Sequence, residues 1–391
     1  MLPIDLPAKS ENGLEKLNAW LRSNRFGGVF TPTGEHEFPF KFILDNLQDW
    51  IDRERSNICG TRVASINRSL NPITFAYARA DALNALAHRI DDRFYIVICR
   101  GALVFLYRVF MRLMADPEVF PQLGDVSKES AGRGPGPLPI FAPDALDADS
   151  IAPFDQTRQR IAGIMFSYAV KFLAYHEFRH IIAGHVDYGM SRFSPSYLED
   201  PMFPTEATGF ASADQGVTEA FLNKQASEVD CDMFAAFMLV FGIFSGHKAG
   251  DAHPFDELKS PWGGVATEFV LAATASLCIN KCLGVTSLDD SQWRFQWYPP
   301  VEVRRMAFQS DLGRALVAVG QEDLVKREDL IKASREAVDV SLPKVLGFGL
   351  PSNKWEQMIL PGGAFETYRD LLYQQRLAFN AYLRSHYSYV S

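Results

Sequence analysis

Residues 166–185 read FSYAVKFLAYHEFRHIIAGH, and within them His176-Glu177-Phe178-Arg179-His180 forms an H-E-x-x-H pattern on a helix-period background. At about 100° per residue, positions four apart lie about 40° apart on one face, so two imidazoles can converge on one Zn2+ at about 2.0–2.1 Å each. Ala169, Phe172 and Leu173 precede His176 on the same stripe and turn it inward. Glu177, offset by about 100°, is placed to reach a water on such a metal rather than the metal itself, the position of a general base. Two ordinary helix histidines are the other reading of so short a pattern. Gly184 and His185 follow closely. On a continuing helix His185 lies about 180° from His176, which suits a helix end or an orienting role better than a ligand, with Gly184 available to end or bend the helix.

Two histidines leave a metal short of protein ligands, and the next long helical stretch offers Ser227-Glu-Val-Asp-Cys-Asp-Met-Phe-Ala-Ala236. Glu228 and Asp232 are four apart on a helix whose other positions are mostly apolar. Burying both carboxylates is costly unless something positive pairs with them, and a zinc ion on two neutral histidines supplies that charge. A solvated face near a helix start, carrying acids that favour the dipole, is the alternative, and it suits Asp230 best.

The composition is that of a globular chain: 391 residues, 47% hydrophobic, 22% charged, 39 Lys+Arg against 47 Asp+Glu. A net charge of −8 without a basic cluster argues against nucleic acid as partner. The opening MLPIDLPAKSENGLEKL has no basic start followed by an apolar run, so a cytoplasmic protein is expected. The apolar runs 234–244 and 265–279 read as core helices rather than membrane spans, the second carrying Glu268. Five cysteines without paired spacing fit a reducing compartment. Cys278 and Cys282, one turn apart, read as packed thiols or, with a second pair, as a metal site.

Helix periodicity covers 12–23, 43–55, 102–114, 156–187, 217–245, 262–282, 301–319, 322–337 and 363–385, and residues 93–99 form a β-branched and aromatic run of strand length. Segments 124–153 and 191–216 are rich in Gly, Pro and polar residues and read as long loops. The class expected is α+β, mostly α.

Asn84-Ala-x-Ala, then a strand and Gly101, H-E-x-x-H, Glu228-x-x-x-Asp232 and Tyr298-Pro-Pro-Val-Glu-Val-Arg304 together resemble the gluzincin peptidases related to the CAAX prenyl protease and the heat-shock protease HtpX. The likeness lies in these short motifs, spread over 84–304. It implies a zincin-like core with a small edge sheet and helical additions, Glu228 as the third zinc ligand, and Asp232 as the acid that orients a histidine. The strand edge before the active helix would hold a peptide, with Tyr95 and Val97 on the substrate strand. Where that family has His-Pro-Pro, this chain has Tyr298, whose hydroxyl can also donate to an oxyanion. Arg304 would pair with an acid near the metal or hold its own loop; a surface Pro-Pro helix start with Arg304 and Arg305 exposed is the alternative. The membrane helices of those proteases are absent and a long insert intervenes, so prenylated or membrane substrates are not implied. The motif followed by Gly-His is similar also to the phage-exclusion protease Lit at His176, Glu177 and His180.

These readings lead to a soluble zinc endopeptidase acting on peptide or protein substrates, with Glu177, Tyr298 and Arg304 in its chemistry and His176, His180 and Glu228 on the metal. Asp232 and His185 would orient it. The organisation expected is a helical lead-in over 1–80, a metallopeptidase domain over 81–310 with insertions at 124–153 and 191–216, and a helical region over 311–391. A protein activator could lift those insertions from the site, as in a phage-defence protease cleaving a host protein. A non-catalytic, zinc-stabilised interaction module, closed by a fourth ligand such as His185 or Asp230, is the competing class.

Overall fold

The helix that carries the motif, α4 (Gln156–Ile182), begins where the Asp155 carboxylate accepts the Arg158 backbone N–H at 3.1 Å. It ends at Gly184, whose φ of +84° strains any residue with a side chain; an added Cβ would also meet Tyr387 at 2.5 Å. The computed structural model describes residues 11–33, 38–60, 70–129, 151–192, 199–201, 215–245, 253–258, 260–283, 299, 301–346, 364–387 and 389. Within it the helix expected over 156–187 is two, and α5 (His185–Arg192) starts afresh beyond the glycine.

A five-stranded sheet lies beside α4, in the order β1 (Val29–Phe30), β2 (Ile73–Ala78), β4 (Arg93–Cys99), β3 (Asn84–Ile90), β5 (Glu199–Pro201). β2 and β4 are parallel and the other pairs antiparallel. Both faces are covered, which is why 93–99 reads as an unbroken apolar run rather than an alternation. Phe94, Ile96 and Ile98 pack into the main core with α3 (Arg100–Ala115) and α4, while Tyr95, Val97 and Cys99 pack with Leu17 and Leu21 of α1 (Glu11–Ser23). Gly101 permits the sharp entry into α3: a Cβ there would sit 2.2 Å from the Asp81 carbonyl oxygen.

This topology corrects the substrate strand. β4 is flanked by β2 and β3, so its backbone groups are already paired and no peptide can add to it. Tyr95 and Val97 are 1% and 0% exposed on the sheet face turned to α1, and the Tyr95 hydroxyl donates to the Gly13 carbonyl at 2.9 Å. β3 lies between β4 and β5, and β5 pairs only with its residues Asn84–Leu86, so among the described residues the β3 edge without a second strand begins after Leu86. β5 itself comes from within 191–216, so that segment is not all loop.

Four more long elements surround α4: α2 (Phe38–Gly60), α6 (Gln215–Ser245), α7 (Gly264–Leu283) and α8 (Val301–Ala318). Shorter helices follow at Glu322–Val325, Glu328–Glu336 and Leu342–Leu346 (α9 to α11), then the long α12 (Ala364–His386). The expected boundaries fall inside structural units. Position 80/81 separates β2 from the strands of its own sheet, 310/311 lies within α8, and α12 packs on α6. α7 is long and apolar enough to cross a membrane by length and composition, and 83% of that window is buried inside the protein. Cys278 and Cys282 are buried free thiols in the core.

His88 in β3 stacks on Trp20 with ring centroids 4.1 Å apart, and burial pushes its pKa down to about 4. The unfolded chain takes up this proton below about pH 6.5, whereas the folded chain resists until about pH 4. Stability is therefore full above pH 6.5 and falls on acidification through that window, by up to about 3 kcal/mol from this group. His88→Phe is expected to flatten the slope between pH 6.5 and 4 in denaturant titrations; an unchanged slope would assign it elsewhere.

Candidate metal centre

His176 and His180 are one turn apart on the inward face of α4, 1% and 0% exposed, with α6 packed across them. Their Nε2 atoms stand 3.2 Å apart. Glu228 on α6 closes a triangle, with Oε2 3.2 Å from His176 Nε2 and Oε1 3.5 Å from His180 Nε2. Tetrahedral zinc with bonds near 2.0–2.1 Å spaces neighbouring donors about 3.3 Å apart, so the donor set fits such an ion. Cys231, one turn after Glu228, also lies close: His176, His180 and Cys231 form a buried group with ligand atoms within 4.8 Å of one another, able to hold a metal.

Each donor is oriented from behind. His176 Nδ1 meets Asp232 Oδ1 at 3.0 Å, and Arg304 grips Asp232 with two bonds, Nε to Oδ2 at 2.7 Å and Nη2 to Oδ1 at 2.9 Å. With a proton on Nδ1 facing Asp232, the Nε2 lone pair is left for a metal. On the other side, His180 Nδ1 lies 3.1 Å from His185 Nδ1, so one of these atoms must donate to the other. The break at Gly184 makes this contact: α5 restarts with His185 swung back towards α4, its ring stacked on Phe379 of α12. Asp232 and His185, the two residues expected to orient the site, therefore each meet one of the two motif histidines at its Nδ1. As a fourth ligand His185 is poorly placed, because it meets His180 at the nitrogen turned from the triangle.

Charge explains the protonation. Burial alone would depress the His176 imidazolium, but hydrogen bonds to Asp232 and Glu228 hold it up at about 10. His180 goes the other way, held well below its usual value by burial. Burial would raise the Glu228 carboxyl, yet the positive charges around it, Lys224 foremost, hold it well down. The Cys231 thiol is pushed far up by burial and by the carboxylates of Asp230, Glu228 and Glu177. Glu177 itself is 1% exposed.

Several expectations change here. Asp230 is 4% exposed and bound to Arg179 (Nε to Oδ2, 2.7 Å), Arg376 (Nη1 to Oδ1, 3.2 Å) and Asn380 (Nδ2 to Oδ1, 2.8 Å). It ties α4, α6 and α12 together and is neither a solvated acid nor a free ligand. Arg304 and Arg305 are 0% and 5% exposed rather than on the surface, and Arg305 pairs with Asp339 through bonds of 2.7 and 2.8 Å. Of the two acids facing the histidines, Arg304 bonds Asp232 and stands 3.9 Å from Glu228 Oε2. Away from the centre, His253 Nε2 lies 2.8 Å from Glu268 Oε2 on α7. Tyr298 and His247 lie outside the described residues.

Sequence reasoning passed over Lys224, whose ammonium donates to Glu228 Oε1 within the protein interior. The signal was present in the stripe Lys224-x-x-x-Glu228-x-x-x-Asp232, which places a cation one turn before the expected ligand. Comparison with known protein families, with curated proteins and with solved structures returns no match for this chain.

Proposed function

We propose that the chain is a zinc-dependent endopeptidase of gluzincin type, cytoplasmic and acting on extended peptide or protein segments. The observation that carries this reading is the approach of His176 Nε2, His180 Nε2 and the Glu228 carboxylate, with Oε2 3.2 Å from the first, Oε1 3.5 Å from the second and the two nitrogens 3.2 Å apart, and with Asp232 and Arg304 behind them. Three protein donors leave one position open, as in catalytic rather than structural zinc sites. A zinc ion held there would supply Lewis acidity to a water and to the scissile carbonyl. Such an ion would require both imidazoles in their neutral form, with Asp232 keeping the proton on His176 Nδ1.

Glu177 takes the proton of the attacking water and returns it to the departing amine. Tyr298 donates to the oxygen that gains charge in the tetrahedral state. Asp232, held by Arg304, keeps His176 in the tautomer that ligates and stabilises it in place. The substrate adds as a strand to β3. β5 already takes Asn84–Leu86 of that edge, which supports a shielded site that a protein activator opens, the arrangement a phage-defence protease would need.

Cys231 favours a second reading, a zinc-stabilised interaction module with the cysteine closing the coordination sphere. Metal analysis separates the two. Wild type is expected to carry about one zinc per chain, His176→Ala and Glu228→Gln to lose it, and Cys231→Ala to keep it. Loss of zinc from Cys231→Ala with retention in Glu228→Gln would transfer the site to the histidine–cysteine set and remove the open position. A wild type that binds no zinc would end both readings.

A further inference from the structure

Glu228 is shared by more positive charge than a metal ligand needs. Lys224 lies one turn earlier on α6, is 1% exposed, and places its ammonium on Oε1. Arg304 Nη2 stands 3.9 Å from Oε2. The Lys224 aliphatic stem and Glu228 share one helix face, so the pair is set by the i, i+4 spacing and not by a chance rotamer.

We propose that Lys224 is a positioning residue that works against the metal: a resident cation holding Glu228 over the two histidines when no ion is bound, and weakening the hold on an ion when one is. The inference rests on Glu228 being a zinc ligand. In the ion-free site the lysine pairs Oε1 while His176 meets Oε2 at 3.2 Å, so removing it takes away one of the two charges that make burial of Glu228 tolerable. Once a divalent ion sits on the same carboxylate, the ammonium is a like charge a few ångströms away in a medium that screens poorly, and the two repel. The site is therefore preformed and open to metal exchange.

The sign of one measurement separates this role from ordinary support. Removing a group that merely orients a ligand weakens metal binding, typically by 10- to 100-fold. Removing a competing cation strengthens it. Zinc affinity would be measured with zinc alone against a chromophoric chelator for wild type, Lys224→Met, Lys224→Gln and Lys224→Arg, with thermal melts in the absence and presence of zinc. The two neutral variants are expected to bind zinc at least about tenfold more tightly than wild type. Their ion-free forms should melt lower and gain more on zinc addition. The arginine variant, which keeps the charge, should stay within about threefold of wild type. Equal or weaker binding in both neutral variants would overturn the proposal while leaving the zinc centre standing. Should neither wild type nor any variant take up zinc, the centre itself falls, and this role with it.

Discussion

A Glu177→Gln chain is expected to retain its zinc and to lose peptide hydrolysis by on the order of a thousandfold. The amide is nearly the size of the carboxylate, so packing around this 1% exposed side chain is kept while the proton acceptor is lost. The metal content follows from the separation of roles on α4: His176 and His180 face the Glu228 triangle, and Glu177 is not part of it. Hydrolysis of unfolded casein, measured beside zinc content, checks both halves. Retained cleavage would take Glu177 out of the base position. Lost zinc would mean that its carboxylate, and not only its neighbours, holds the ion.

Replacing Arg158 with methionine is expected to cost about 3–5 kcal/mol, a large fraction of the stability of any domain. The guanidinium is 0% exposed and makes five bonds to carbonyl oxygens: Met114 at 2.7 Å, Asp116 and Val119 at 2.9 Å, Leu123 at 2.8 Å and Phe120 at 3.2 Å. They lie where α3 ends and the chain turns; the Asp116 and Phe120 carbonyls also accept the Val119 and Leu123 N–H groups at 3.1 and 2.9 Å, and the guanidinium gathers all five. Methionine fills similar space and leaves every one of them without that partner. The Glu129 carboxylate, which accepts the Phe154 and Asp155 N–H groups at 3.1 and 3.0 Å, would lose its nearest cation as well. Urea titration should report the loss, and amide exchange should quicken first between residues 116 and 129. A shift below about 1 kcal/mol would show that water replaces the guanidinium without penalty.

The helices were legible because their apolar positions recur at helical spacing over long spans. α6, expected over 217–245, runs Gln215–Ser245, and α12, expected over 363–385, runs Ala364–His386. The sheet was legible only at β4, where burial on both faces leaves an unbroken apolar run. β3 reads Asn-Ala-Leu-Ala-His-Arg-Ile, with polar residues that find tertiary partners: His88 buried under Trp20, and a half-buried Arg89 paired with Asp187 at 2.8 Å. No local pattern announces such a strand, so β4 was assigned to the edge when it lies inside. β5 is three residues long and owes its form to β3.

At the site, spacing put His176 with His180 and Glu228 with Asp232 on shared helix faces, and the separate parts of Glu228 and Asp232 came from the resemblance. What could not be read is how separate helices meet. The turn of His185 towards His180 depends on Gly184, and the burial of Asp230 depends on Arg376 and Asn380, about 150 residues away in the chain. Asp230 looks like a solvated acid until those partners are folded against it. Lys224 lies within reach of the same spacing argument, since it stands one turn before Glu228 on the same face.

The clasp of α12 on the motif helix has a consequence for the order of assembly. Arg376 and Asn380 complete the partners of Asp230, Phe379 covers His185, and Tyr389 bonds through its N–H to the Ile182 carbonyl at 2.8 Å and through its hydroxyl to Asp187 at 2.7 Å. Until residues 376–389 have left the ribosome, the nascent chain holds two histidines whose supporting wall has not been made. The wall around His180 and His185 is complete only once synthesis has passed α12, so the proposed activity is expected of finished chains alone.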